Sequence, residues 1–206
     1  MPCKVVIVNY GTGNLSSVRR SLARIGSECR VSSEIADIAD SDKLILAGVG
    51  HFESAMAGLR DFGLIDALEK AALIDKKPVL GICLGMEVMA KTSEEGNAKG
   101  LGWLDANVVK FRMSDKLKYK VPHIGWNRIT LKKNSPLMKK ISDSAEFYFL
   151  HSYYLMPADD ADILNEAEYE TLFPAAIEKD NIFGVQFHPE KSHHAGLQLF
   201  KNFIGL

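Results

Sequence analysis

Cysteine is scarce in this 206-residue sequence: Cys3, Cys29 and Cys83 form an odd, widely spaced set. That set suits neither a disulfide framework nor a zinc site built from paired cysteines. Excess charge is also missing, with 25 Lys and Arg against 26 Asp and Glu. Composition therefore gives no basis for binding nucleic acid or an anionic membrane. The local basic clusters, Lys116, Lys118 and Lys120 and then Lys132 and Lys133, read as solvated surface. Long apolar runs are absent too. Only Val5–Val8 follows Met1-Pro2-Cys3-Lys4, which is too short for a secretory leader, and nothing approaches membrane-spanning length. The expected location is a reducing cytoplasm. With no repeat, low-complexity tract or linker, residues 1–206 read as one domain large enough to bury a full core.

Short apolar runs alternate with helical periodicity. Val5–Val8, Leu44–Leu46 and Val79–Ile82 read as strands buried on both faces, as in a parallel sheet. Leu15, Val18, Leu22 and Ile25 recur at helical spacing, with Gly26 placed to end the helix. A further helical region covers about residues 53–76, broken near Gly63. This rhythm predicts a doubly wound α/β sheet. From about residue 103 the pattern changes to strands joined by turns: Val108–Phe111, Arg128–Leu131, Phe147–Leu150, Ala175–Glu178 and Phe183–Phe187. Helical spacing resumes with Leu199, Phe200, Phe203 and Ile204.

Three motifs carry chemistry. Gly81-Ile82-Cys83-Leu84-Gly85 has the layout of a nucleophile elbow, with cysteine in the nucleophile's place. A helix beginning after Cys83 would aim N–H groups at the sulfur and favour thiolate. A packed, inert cysteine is the competing reading. The segment Gly184-Val185-Gln186-Phe187-His188-Pro189-Glu190 offers a base and a carboxylate to orient it. Pro189 keeps His188 extended and ends the strand, which would turn His188 and Glu190 to one side. Finally, Ala47-Gly48-Val49-Gly50 follows a strand, and its glycines let backbone N–H groups approach a developing oxyanion.

In this order and spacing the three motifs resemble the class I (triad) glutamine amidotransferases. The segments YGTGNLSSV (10–18), VPHIGWN (121–127) and FYFLHSYY (147–154) narrow the resemblance to the glutaminase subunits of imidazole glycerol phosphate synthases, of histidine biosynthesis. It runs from about Val5 to Phe203. It implies a flavodoxin-like, mostly parallel doubly wound sheet with an added antiparallel portion. It also implies Cys83 as nucleophile, His188 as acid/base and Glu190 as orienting group, with Val49 and Leu84 as oxyanion donors. Substrate glutamine would be held by Gly48, Gly50, Glu87, Ser152 and Tyr153. A cyclase or synthase subunit, the heterodimer partner that receives the ammonia, would dock on Trp126 and its loop, with Asn14 near the same edge. No cofactor or metal is required.

Two positions depart from the family pattern: Ala47 replaces a proline, and Glu87 a glutamine. A carboxylate at 87 would pair with the α-ammonium of glutamine, repel its α-carboxylate and raise the pKa of a nearby thiol. These departures keep open a paralogous glutaminase that supplies ammonia to a nucleotide-sugar amidating enzyme. A cysteine peptidase of the same superfamily and a non-catalytic regulatory subunit are further alternatives. His51, His193 and His194 read as surface histidines. The Gly11-Thr12-Gly13-Asn14 turn lacks the third glycine of a dinucleotide loop.

Overall fold

Residues 3–206 are described by the structure, a computed structural model. The first half of the chain forms β1 (Val5–Val8), α1 (Leu15–Arg24), β2 (Cys29–Ser32), α2 (Ile35–Asp40), β3 (Lys43–Gly48), α3 (Phe52–Asp61), α4 (Ile65–Glu69), β4 (Val79–Cys83) and α5 (Leu84–Glu87). Strands follow as β5 (Thr92–Ser93), β6 (Ala98–Lys99), β7 (Ala106–Lys110), β8 (His123–Arg128) and β9 (Thr130–Leu131). The chain closes with β10 (Glu146–His151), β11 (Tyr153–Pro157), β12 (Ile163–Tyr169), β13 (Thr171–Lys179), β14 (Ile182–Val185) and α6 (His193–Ile204).

The main sheet has the order β2-β1-β3-β4-β14-β13-β12-β9. It is parallel from β2 through β14 and antiparallel beyond. The all-apolar runs of β1, β3 and β4 are buried along their length because helices cover both faces. Alternate residues divide between two cores. Val5, Ile7, Ile45 and Leu80 pack with Val18 and Leu22 of α1 and with Phe200 of α6. Val6, Val8, Leu44 and Val79 pack with Met56 and Leu59 of α3. Two smaller sheets, β10-β8 and β11-β7-β5-β6, stand beside the carboxyl end of β4. In open α/β sheets that end is where ligands bind.

Several sequence boundaries shift, for physical reasons. The expected Arg128–Leu131 strand splits at buried Ile129, because β8 pairs with β10 whereas β9 pairs with β12. Trp126, expected in a loop, lies within β8 opposite Tyr148. The last sheet strand ends at Val185 rather than Phe187: Gln186 still donates to Ala175 O (2.8 Å), but the His188 N–H goes to Tyr148 O (2.8 Å). Pro189 then begins a short 3₁₀ turn, so Glu190 lies in a turn and not in an extended segment. The half-exposed β2 and polar-interrupted β12 carry no apolar run to announce them.

Candidate active site

Cys83 ends β4 with φ 52° and ψ −112°, a left-handed backbone that a β-carbon disfavours. Holding a side chain there costs on the order of 1–3 kcal/mol, and tight surroundings enforce it. A β-carbon at Gly85 would lie 1.8 Å from Leu46 O, and one at Gly81 would lie 2.6 Å from the Met86 α-carbon. Gly85 lets the turn close against β3, and Gly81 lets α5 fold back onto β4. The helix that follows, α5, is a single turn.

The thiol is 6% exposed. Its Sγ lies 3.8 Å from Leu150 O, to which it donates, and 3.8 Å from the Gln186 Nε2 donor. Burial pushes the thiol well above its ordinary pKa, and the charge on Glu87 adds to this; the Leu84 N–H and Gln186 amide pull the other way. The expected thiolate-favouring helix is therefore outweighed. One turn of helix cannot offset such burial beside a carboxylate.

Parallel pairing of β14 with β4 sets Val185 against Ile82 and carries the following residues to the Cys83 end of the sheet. His188 Nδ1 meets Glu190 Oε1 at 2.8 Å, with both side chains almost wholly buried. A carboxylate there fixes the Nδ1–H tautomer and leaves Nε2 with a lone pair. That Nε2 is buried and has no partner among the described residues. Glu190 Oε1 also accepts from Asn14 Nδ2 at 2.6 Å. Asn14 reaches it from a left-handed position (φ 75°) just before α1.

A cavity of about 250 Å³ opens over the thiol. Val49, Gly50, Leu84 and Glu87 line one side, and Ser152 and Tyr153 the other. Glu87 is 5% exposed, its Oε1 held by Gln186 Nε2 at 2.8 Å. Burial raises its pKa to about 7, against the Gln186 bond and with a contribution from Glu95. A buried thiol on a tight turn under a small cavity and an imidazole held in a fixed tautomer are groups that acyl transfer from a small amide uses, although His188 is not among the residues lining that cavity.

A sequence model described as Glutamine amidotransferase class-I matches residues 6–205. The chain belongs to the class-I glutamine amidotransferase family. It is 46% identical over 202 residues to imidazole glycerol phosphate synthase subunit HisH 2 of Pseudomonas aeruginosa, covering 98% of this chain and 99% of the relative. Identity to the HisH 2 subunit of Methanococcus maripaludis is 46% over 200 residues, covering 97% of this chain and 98% of that one. Among solved structures, a putative GMP synthase protein from Thermoplasma acidophilum superposes with a TM-score of 0.73 at 21% identity, covering 100% of this chain and 94% of that one. A Thermotoga maritima glutamine amidotransferase gives 0.66 at 17% identity, with coverage of 100% and 82%. The expected amidotransferase fold is thus present.

Within this amidotransferase, Gly48 is the expected binding residue that does not line the cavity. It pairs with Cys83 in the ladder, and a β-carbon there would come within 2.9 Å of Thr12 and the Tyr10 hydroxyl. Close packing accounts for that glycine. Trp126 lies outside the cavity, 46% exposed on the outer face of β8 and stacked on His193 at 5.0 Å. Asn14 is half-buried against Glu190. His51, His193 and His194 are exposed, as expected.

Sequence reasoning missed Gln186 and Glu95. Gln186 had a signal, as the one polar residue between Val185 and Phe187 in a fully buried stretch. Glu95, in a polar turn, had none. Replacing Asn14 with alanine removes a charge-assisted bond worth about 1.5–3 kcal/mol. The expected result is a fall of about 10- to 100-fold in kcat for glutamine hydrolysis, with little change in KM. Steady-state kinetics alongside thermal melts check it, since a purely structural role would lower Tm and leave kcat intact.

The histidines of the two sequence segments also come together. His123 and His151 are opposed on β8 and β10, with Nδ1 of His123 at 3.0 Å from Nε2 of His151. His151 Nδ1 donates to Tyr153 O at 2.7 Å, so its Nε2 accepts from the Nδ1–H of His123. Burial lowers their pKa values to about 4 for His123 and about 3 for His151. Both rings are neutral and fix the corner that carries Ser152 and Tyr153.

Proposed function

We propose that this amidotransferase is the glutaminase subunit of an imidazole glycerol phosphate synthase, acting in the cytoplasm as one domain of a heterodimer. The observation that carries the chemical reading is the strained, buried Cys83 beneath a small cavity, with a tautomer-fixed His188 on the segment that follows the neighbouring strand. The full-length likeness to HisH subunits supports the choice of partner.

Cys83 Sγ attacks the side-chain amide carbon of L-glutamine, and its proton passes to His188 Nε2. The developing oxyanion is met by the backbone N–H groups of Leu84 and Val49. His188 then protonates the departing nitrogen, and ammonia leaves a glutamyl thioester. The same imidazole activates water to release glutamate. Glu190 holds the ring and supports its positive charge. Gly50, Glu87, Ser152 and Tyr153 hold the amino-acid end of the substrate. The cyclase subunit docks on the exposed face that carries Trp126 and receives the ammonia before it can be protonated.

The test is glutamate release by the purified chain alone and with a cyclase subunit plus its acceptor nucleotide. Weak hydrolysis alone and strong hydrolysis in the complex are expected. Full activity of the lone chain would end the idea that docking switches it on. Activation only by a sugar-amidating enzyme would move the assignment to that partner.

A further inference from the structure

Glu87 lies four residues past Cys83, and the Gln186 Nε2 that donates to its carboxylate at 2.8 Å is 3.8 Å from the sulfur. A single amide therefore touches both the nucleophile and a buried carboxylate. Gln186 Oε1 is buried without a partner among the described residues, so the side chain is oriented by its N–H groups alone. The other charged groups facing the pair are acidic. Glu95 lines the cavity, fixed by the Phe52 N–H at 2.7 Å, and Glu190 contributes a negative field at the sulfur. The phenols of Tyr10 and Tyr153, both pushed above their usual range chiefly by burial, are neutral. His188 follows β14 with its Nδ1 on Glu190, and its buried Nε2 has no partner among the described residues. Among the described residues, no lysine or arginine lines the cavity.

Two carboxylates and no cation in a small cavity favour a ligand that brings its own positive charge. They also suppress a further negative charge on the thiol until that ligand arrives. We propose that the α-ammonium of the bound amino acid pairs with Glu87 and thereby releases Cys83 to ionise, so the nucleophile forms only beneath a substrate with a free α-amino group. The inference rests on the glutaminase reading and extends it to substrate selection. In the step itself, the S–H bond breaks, its proton moves to His188 Nε2, and a thiolate–imidazolium pair results. Glu87 is then a specificity residue whose effect reaches the nucleophile through charge.

The experiment uses the full chain with Cys3 and Cys29 replaced by serine, so that ultraviolet thiolate absorbance reports Cys83 alone. It is titrated with pH, ligand-free, with L-norvaline and with pentanoate, which has the same carbon chain without the amino group. Norvaline is expected to lower the thiol pKa by about one unit, a tenfold gain in thiolate at fixed pH, whereas pentanoate gives no such gain. In Glu87→Gln the ligand-free thiol ionises about tenfold more readily than in wild type, and norvaline adds little. An unchanged thiol pKa with norvaline bound by calorimetry, failure of norvaline to bind, or a Glu87→Gln thiol identical to wild type overturns the proposal. If Glu87→Gln does not fold, the wild-type norvaline and pentanoate curves decide alone. Neither ligand has a cleavable amide, so this result is independent of whether the chain hydrolyses glutamine, which the assay with the cyclase subunit reads separately.

Discussion

Cys83→Ala is expected to lower glutamine-dependent synthesis in the reconstituted complex by roughly 10⁴- to 10⁶-fold, as loss of a catalytic nucleophile does. Synthesis from added ammonium salt is expected to continue at the wild-type rate. In the proposed mechanism only glutamine hydrolysis needs the sulfur, so the two assays separate removal of the nucleophile from damage to the docking surface. Alanine at this position keeps a β-carbon and hence the φ of 52°, so the turn is no more or less strained than before. Cys83→Ser gives the same division, because a hydroxyl in this desolvated site is a far weaker nucleophile than a thiolate. Wild-type hydrolysis by the alanine variant would remove Cys83 from the mechanism. Parallel loss of ammonia-dependent synthesis would instead show that the variant no longer assembles.

Mild acid is expected to destabilise the fold, and the His123–His151 pair gives the sign. Their folded pKa values, about 4 and about 3, lie below the value near 6.5 of a free imidazole. Between those limits the unfolded chain binds two protons that the native pair refuses, so stability falls as pH falls. Glu87 works in the opposite direction. Its folded pKa of about 7 exceeds the ordinary 4.5, so over that interval the native state holds a proton that the unfolded state lacks. From pH 6.5 to 4.5 the net difference is one proton, a loss of about 1.4 kcal/mol per pH unit. Below 4.5 Glu87 is protonated in both states and no longer compensates, so the decline steepens until the histidines titrate. Urea midpoints across this range measure it, with a His123→Gln/His151→Gln double variant as the comparison. The variant is expected to give a curve that no longer falls between pH 6.5 and 4.5. A slope equal to wild type would mean that the pair is not buried neutral.

How far the sequence reveals this molecule depends on whether an interaction is local. Val5–Val8 is β1 to the residue, and Gly26 and Gly63 end helices where their positive φ is needed. Apolar periodicity and glycine placement state those features directly. The nucleophile elbow and the His188–Glu190 pair were legible for the same reason, since each lies within a few residues. The geometry behind the pair was not legible: a 3₁₀ turn at Pro189, rather than an extended strand, brings the carboxylate to the imidazole. Contacts between distant segments left no trace in spacing. Asn14 and Glu190 are 176 residues apart, and Gln186 reaches Glu87 across 99. Nothing local distinguishes Asn14 from an ordinary polar side chain, and the apolar neighbours of Gln186 mark it as buried without naming its partner. The upward push of Glu87 on the thiol was legible because the two lie four residues apart, but the larger effect of burial was not, because burial is a property of the whole fold.

The insertion of β14 between β4 and β13 has a consequence in time. Cys83 and Gln186, side by side in the finished sheet, are 103 positions apart in the chain. At about 5–20 residues per second on the ribosome, roughly 5–20 s separate the appearance of the cysteine from that of His188, its proposed base. Throughout that interval β4 has only β3 beside it, and Cys83 is a solitary thiol without His188. On the proposed mechanism, a nascent chain cannot hydrolyse glutamine during that interval. The last parallel strand to dock, the one that closes the central sheet, is also the one that arms it.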